Sequence, residues 1–188
     1  MDDKNTRIDI DQLASTLRGK LLQRSPLPAQ CCIFRVPSTL RRHNQTVFAP
    51  RLVSIGPLHH GVKNLQAMEK LKLWYLDCLL ARAPTIQTSL ECFIEAIRGT
   101  VERISECYEE VELSTDEMVE MMVLDSCFII ELFRKHAIIV QPHVDDPIFK
   151  TSWMRKDLLN DLLLLENQLP WFVLERLFNL TNADPDPK

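Results

Sequence analysis

The segment from Ser114 to His136 constrains the fold more than any other stretch of the chain. Ser114 and Glu117 have capping-box spacing, in which each side chain can satisfy a backbone N–H at a helix start. From there Met118, Met121, Met122, Phe128, Ile129, Leu132 and Phe133 leave a helix apolar on nearly all sides. A helix of that kind is buried, so other elements must wrap it.

The flanking segments supply the wrapping. Asn64 can cap a helix to about Arg82, with Leu65, Met68, Leu71, Tyr75, Cys78 and Leu79 on one face, Lys63, Lys70 and Lys72 elsewhere, and Pro84 ending it. Ile86, Leu90, Phe93, Ile94, Ile97, Val101, Ile104 and Tyr108 step by three or four, which predicts one helix of about six turns. Asp146-Pro147 is a cap followed by proline at the first helical position. Helices over 153–165 and 171–180 follow, interrupted at Glu166-Asn167-Gln168-Leu169-Pro170. Nearer the N-terminus, Leu13, Leu17 and Leu21 form a single apolar stripe on a helix that Ser25-Pro26 stops.

Between these parts, Pro26, Pro28, Pro37, Pro50 and Pro57 forbid long helices. Residues 30–61 therefore read as an irregular elbow with two short strands, at 31–36 and 50–55, and a one- or two-turn helix capped by Ser38 and running through Arg42. The expected fold class is mainly α: an elbow packed on a bundle of about five helices. Residues 1–30 form an N-terminal helix and linker, 31–180 the helical domain, and 181–188 a disordered tail.

Composition removes several function classes. The chain has 188 residues, 46% of them hydrophobic and 26% charged, the balance of a soluble globular protein. Its four glycines are too scattered for a phosphate-cradling loop. Apolar runs fall short of the roughly 20 residues that cross a bilayer, and the N-terminus has no apolar signal core. Cys31, Cys32, Cys78, Cys92, Cys107 and Cys127 are read as reduced thiols of a cytoplasmic protein.

The formal charge of −4 hides a segregation. Residues 18–82 hold eleven basic residues against Glu69 and Asp77, net +9, whereas residues 91–131 hold twelve acids against Arg98 and Arg103, net −10. The favoured expectation is that these segments pack together and neutralise each other. A basic side left free would suit an anionic membrane surface through Lys20, Arg24, Arg41, Arg42 and Arg51. Nucleic acid is disfavoured, since no aromatic residues interleave with the basic ones as a binding groove requires.

Several strings are distinctive: Phe34-Arg35-Val36-Pro37, the run Val53 to Gly61, Met68-Glu69, Glu120 to Asp125, Cys127 to Phe133, Asp146-Pro147-Ile148-Phe149 and Asp161 to Leu177. Together, in order from about Ile33 to Phe178, they resemble the plant-specific domain of unknown function 247 family. The resemblance implies a helical protein with no established catalytic residues. Members are generally longer, many ending in a hydrophobic segment thought to anchor them in a membrane, and some lie at grass self-incompatibility loci as proposed recognition determinants. This chain stops just after Leu177-Phe178, so it is expected to be the N-terminal part of the family domain, without the C-terminal half and anchor.

Candidate functional residues concentrate in the elbow and the apolar helices. His59 and His60 are the most chemical-looking pair, yet no CxxC or HxxxH spacing joins them to Cys31, Cys32 or His43 as zinc ligands, so no metal or cofactor is expected. They are read as hydrogen-bonding the elbow backbone or joining a protein contact. Arg35, Asp125, Glu131 and Glu166 are charges embedded among apolar residues, costly unless paired. Arg35 is expected to pair with Asp125 or Glu131, the alternative being a carboxylate pair for acid/base chemistry. Asn167 and Gln168 are expected to bridge loose backbone groups where the last two helices meet. Trp171 and Phe172, with Leu174, Leu177 and Phe178, form an apolar final helix whose exposed surface predicts homo-association or binding to another chain. The expected function is a non-enzymatic protein-interaction module of a plant recognition or signalling protein. An uncharacterised enzyme with a polar site at the elbow and a peripheral anionic-membrane binder are the alternatives.

Overall fold

The computed structural model describes residues 3–21, 30–42, 45–82 and 88–182. His43, Arg24, Pro26, Pro84, Ile86 and the tail residues 183–188, all invoked above, lie outside the described residues. Among those described there are nine α-helices and no sheet.

Helix α6 (Thr115–His136) is the axis of the fold. The Ser114 hydroxyl accepts from the Glu117 N–H, and the Glu117 side chain accepts from the Ser114 N–H. Its apolar surface is covered by α3 (Gln66–Arg82), α4 (Leu90–Arg98), α5 (Val101–Glu106) and α9 (Trp171–Thr181), which bury Met122, Cys127 and Phe128 completely. Two small helices, α7 (Pro147–Lys150) and α8 (Ser152–Asp161), return the chain beside the elbow. Asp146 caps α7 through the Ile148 N–H, with Pro147 at the first helical position. The N-terminal α1 (Asp3–Lys20) carries Ile10, Leu13 and Leu17 as an exposed stripe, continued by Leu21. In the elbow, α2 (Ser38–Arg41) is a single turn that starts after Pro37, with no side-chain cap.

Several elements differ from the sequence expectation. The predicted helix over residues 86–108 breaks where Gly99 and Thr100 adjoin, leaving α4 and α5. Both residues are poor helix formers, and the Thr100 hydroxyl bonds the Ile97 carbonyl in place of continuing the helix. Helix α8 ends at Asp161 instead of continuing to residue 165, which leaves Leu163 and Leu165 exposed. The two short strands are absent among the described residues. Residues 31–36 make only an isolated parallel bridge, Ile33 to Tyr108, and residues 50–55 pair with side chains instead of a neighbouring strand.

Candidate functional site

The polar residues of the elbow meet those of α3, α6 and the 161–168 turn in one buried clamp. Asp161 accepts three consecutive backbone N–H groups, from Arg51 at 2.9 Å, Leu52 at 2.7 Å and Val53 at 3.0 Å. Asn167 Oδ1 accepts from Ile55 N–H at 2.7 Å, while its Nδ2 donates to the carbonyls of Val53 and Asp161, both at 3.0 Å. Just past the end of α8, Gln168 Nε2 donates to the carbonyls of Leu162 and Leu164, the second of which also accepts from the Asn167 N–H. These side chains supply the backbone partners that a neighbouring strand would otherwise provide.

Lys72 stands at the centre of the clamp, 1% exposed. Its Nζ donates to Asp125 Oδ1 at 2.6 Å and the Ser54 carbonyl at 2.6 Å, and lies 2.7 Å from Glu69 Oε1. Three oxygens thus match the three donors of the ammonium. Asp125 Oδ2 accepts from Gly56 N–H at 2.8 Å. Burial pushes the Asp125 carboxyl above its usual range, against the pull of Lys72 and the Gly56 N–H. Gly56 has φ of 73°, and a Cβ there would lie 2.5 Å from the Gln168 carbonyl oxygen, so only glycine fits this crossing.

The expected Arg35 pairing with Asp125 or Glu131 is corrected. Asp125 pairs with Lys72, and Glu131 receives both terminal nitrogens of Arg82, at 2.5 and 2.7 Å. Arg35 lies on the surface: the irregular segment turns Ile33 and Val36 inward and leaves Phe34 and Arg35 outside, and the Arg35 N–H bonds Glu109 Oε2 at 2.9 Å. The Lys72–Asp125 and Arg82–Glu131 pairs do join the basic and acidic segments of the chain.

Glu166, buried and on the same turn, accepts from Val36 N–H and pairs with Arg41. Burial alone would raise its carboxyl. The hydrogen bond and charge of Arg41, the Val36 N–H and the nearby His59 overcome that and hold it below the usual carboxylate range. His59 Nε2 is 3.3 Å from Glu166 Oε2, off the hydrogen-bonding direction, and otherwise without a partner. Burial lowers the His59 pKa, opposed by the Glu166 charge and assisted by Arg41 and Arg35. His60 diverges from it, exposed in a shallow surface cavity with Arg35, Pro57 and Glu110.

Lys72, Asp161 and Arg41 are missing from the sequence-derived candidates for this clamp, as are the members of a second buried cluster. There Asp146 accepts from the Tyr75 hydroxyl at 2.8 Å and from Lys135 Nζ at 2.9 Å, with that ammonium 3.7 Å from the Tyr75 ring centroid. The signal for Lys72 was available: Met68, Lys72, Tyr75 and Leu79 share one helical face, so Lys72 belongs to the buried stripe and not to the polar side where its charge suggested it. Asp161 follows the buried Leu158 by three residues on α8 in the same way.

Chemically, the clamp is committed to holding backbone. A surface with unused contact capacity lies elsewhere, in an apolar groove of about 490 Å³ between the second half of α6 and α9. Phe133, Ile139, Trp171, Leu174 and Phe178 line it; Trp171 and Ile139 are each 74% exposed. Phe172 faces the other way, half-buried beneath the Arg103 guanidinium at 4.0 Å. Ile138, which leads into Ile139, has φ of 60°, an uncommon conformation for a β-branched residue. Among the described residues no group of three or more His, Cys, Asp or Glu side chains could hold a metal ion, and no helix is long and apolar enough to cross a membrane.

Residues 33–188 match domain of unknown function 247, a family described as plant protein of unknown function. The chain belongs to this family. Among its relatives, UPF0481 protein At3g47200 of Arabidopsis thaliana is 36% identical over 161 residues, which cover 84% of this chain and 33% of the relative. Putative UPF0481 protein At3g02645 of the same plant is 28% identical over 148 residues, covering 77% of this chain and 26% of the relative. The chain thus spans about a third or less of the family relatives it matches. No solved structure matches it.

Proposed function

We propose that this chain is a non-enzymatic protein-interaction module of a plant recognition or signalling protein, and that the groove between α6 and α9 is its binding surface. The observation that carries this reading is the apolar lining of the groove, with Trp171 and Ile139 exposed at its rim. An aromatic anchor beside a concave apolar surface is the usual centre of a protein interface. The acids and amides singled out in the sequence support the same reading from the other side, since Asp125, Glu131, Glu166 and Asn167 are buried and bound to lysine, arginine or backbone. A cytoplasmic setting goes with this reading and agrees with six unpaired thiols.

The first occupant we assign to the groove is a second copy of the chain. Light scattering across a concentration series should show dimers, and a hydrophobic dye should bind the monomer. Trp171→Asp should weaken both at least severalfold without lowering the melting temperature, because the indole is solvent-facing. A wild-type chain that stays monomeric and dye-negative at every concentration would sink the proposal.

A second reading, attachment to an anionic membrane face, is favoured by α1, where the exposed stripe of Ile10, Leu13, Leu17 and Leu21 adjoins Arg18 and Lys20. Of the cations proposed for that role from the sequence, Arg41 is paired with Glu166 and Arg51 lies 3.9 Å from Asp157, so the basic surface is smaller than its charge count. Sedimentation with phosphatidylserine vesicles that is lost on raising salt would select this reading over the first.

A further inference from the structure

The isolated bridge between the elbow and the end of α5 brings two cysteines face to face. Ile33 N–H and Cys32 N–H both donate to the Cys107 carbonyl, at 2.9 and 3.0 Å, and Glu109 N–H donates back to the Ile33 carbonyl at 3.2 Å. With Ile33 bridged to Tyr108 in parallel, the residues one step earlier on each segment, Cys32 and Cys107, are neighbours across the bridge. Bridged backbones lie about 4.8 Å apart, inside the Cα separation of about 4.4–6.8 Å that a disulfide requires. The two thiols differ in access, Cys32 exposed and Cys107 buried, and Cys107 Sγ donates to the Arg103 carbonyl at 3.3 Å. Burial pushes the Cys107 thiol up to about 11, and charge and hydrogen-bond interaction with the Cys32 thiol adds to the shift, as expected of groups in contact.

We propose that Cys32 and Cys107 form a peroxide-sensitive dithiol that closes into a reversible disulfide and staples the elbow to α5. The roles follow from access. The exposed Cys32 thiol reacts first: its sulfur takes one oxygen of hydrogen peroxide as the O–O bond breaks, giving a sulfenic acid and one water. The Cys107 sulfur then attacks that sulfenic sulfur, the S–S bond forms, the S–O bond breaks, and the hydroxyl leaves with the Cys107 proton as a second water. Two thiols are oxidised by two electrons and one peroxide is reduced to two waters. A small-molecule thiol reverses the reaction by exchange, ending as its own disulfide. Cys31 is the neighbouring thiol, and it acts on Cys107 through charge alone, whereas the Cys32 thiol also reaches it by a hydrogen bond. The proposal is independent of the groove: neither cysteine lines it.

The structural consequence is a covalent tie across a long stretch of chain, at the segment that leads into Val36 and its bond to Glu166. Closing a loop of that length restricts the unfolded chain, so the oxidised protein should melt roughly 5 °C or more above the reduced one.

The test uses the whole chain. Reduced protein is treated with stoichiometric hydrogen peroxide, the remaining thiols are alkylated, and the product is digested without reductant. Cleavage after arginine and after glutamate is needed together, because Arg103 and Arg134 bracket both Cys107 and Cys127 whereas Glu106 and Glu109 isolate Cys107. A Cys32–Cys107 cross-linked peptide that thiol reductant removes is the expected result. Cys31→Ser should retain it, while Cys32→Ser and Cys107→Ser should each abolish it along with the rise in melting temperature. Should the serine variant at Cys107 fail to fold, the peptide maps of the wild type and of the Cys31→Ser and Cys32→Ser variants together still decide, because Cys31 and Cys32 share the peptide 25–35. A Cys31–Cys32 link, a dimer joined through Cys32, or over-oxidised Cys32 beside an intact Cys107 thiol would each overturn the proposal.

Discussion

Asp161 shows how much one side chain carries here. Its two oxygens receive the N–H groups of Arg51, Leu52 and Val53, so the carboxylate takes the place of a strand edge. Asp161→Asn keeps the shape but turns an NH₂ donor toward at least one of those N–H groups. Hydrogen bonds to a charged acceptor contribute about 1.5–3 kcal/mol each, and a buried donor left unmatched adds to the loss. The variant should therefore lose about 2 kcal/mol or more in urea unfolding with an unchanged m value. His59 and Glu166 carry the acid sensitivity of the same region. The folded-state pKa of His59 lies below its ordinary value of 6.5, so the unfolded chain takes up that proton first. Its contribution to stability is full above pH 6.5 and is lost as pH falls toward the folded-state value. Glu166, held below its ordinary value of 4.5, adds a second loss as pH falls through its own folded-state value. Melting temperature should drop between pH 7 and 5.5, and His59→Gln should flatten that drop while leaving the decline below pH 4.5 in place.

Between elements, the decisive contact is α3 on α6 through Lys72 and Asp125, partners 53 residues apart in the chain. Removing one member strands the other charge in the core, which costs about 3–5 kcal/mol, whereas removing both can recover much of that. Lys72→Met should be severely destabilised in thermal melts. Adding Asp125→Asn, which retains an acceptor for the Gly56 N–H, should restore part of the loss. Arg35→Glu should cost less than about 1 kcal/mol, as for other exposed substitutions. A large loss at Arg35 that charge reversal at Asp125 rescued would instead restore the pairing expected from the sequence. The capping box at Ser114 and Glu117, the proline-led start of α7 and the burial of α6 were legible because each depends on neighbours within one or two helical turns. The break at Gly99–Thr100 was hidden by a hydrophobic period that runs unbroken from Leu90 to Tyr108 through two helices. The end of α8 was hidden for a different reason: Leu162, Leu163 and Leu164 suit a helix, and what stops it is that the carbonyls of Asp161, Leu162 and Leu164 accept from the side-chain amides of Asn167 and Gln168.

For the whole molecule, burial is concentrated around α6 and falls away toward α1, whose side chains from Ile10 to Lys20 are exposed apart from a half-buried Ala14. Native-state hydrogen exchange should follow that gradient. Amides of α6 around Met122 to Ile130 should exchange only through global unfolding, and those of α1 at rates close to an isolated helix. Slow exchange along Leu13 to Lys20 would show that α1 is packed against something in solution.

By itself the sequence determined the helical class, the central place of α6 and the family, because caps, periodicity and motif strings are properties of short stretches of chain. The tertiary structure decided which charges meet. Lys72 reaches Asp125, Arg82 reaches Glu131 and Asp161 reaches the 51–53 backbone only once helices distant in sequence lie side by side. A buried charge requires a partner, but its cost says nothing about which one. That choice depends on the distances and directions that packing creates, and they place the elbow's backbone on side chains instead of in a sheet.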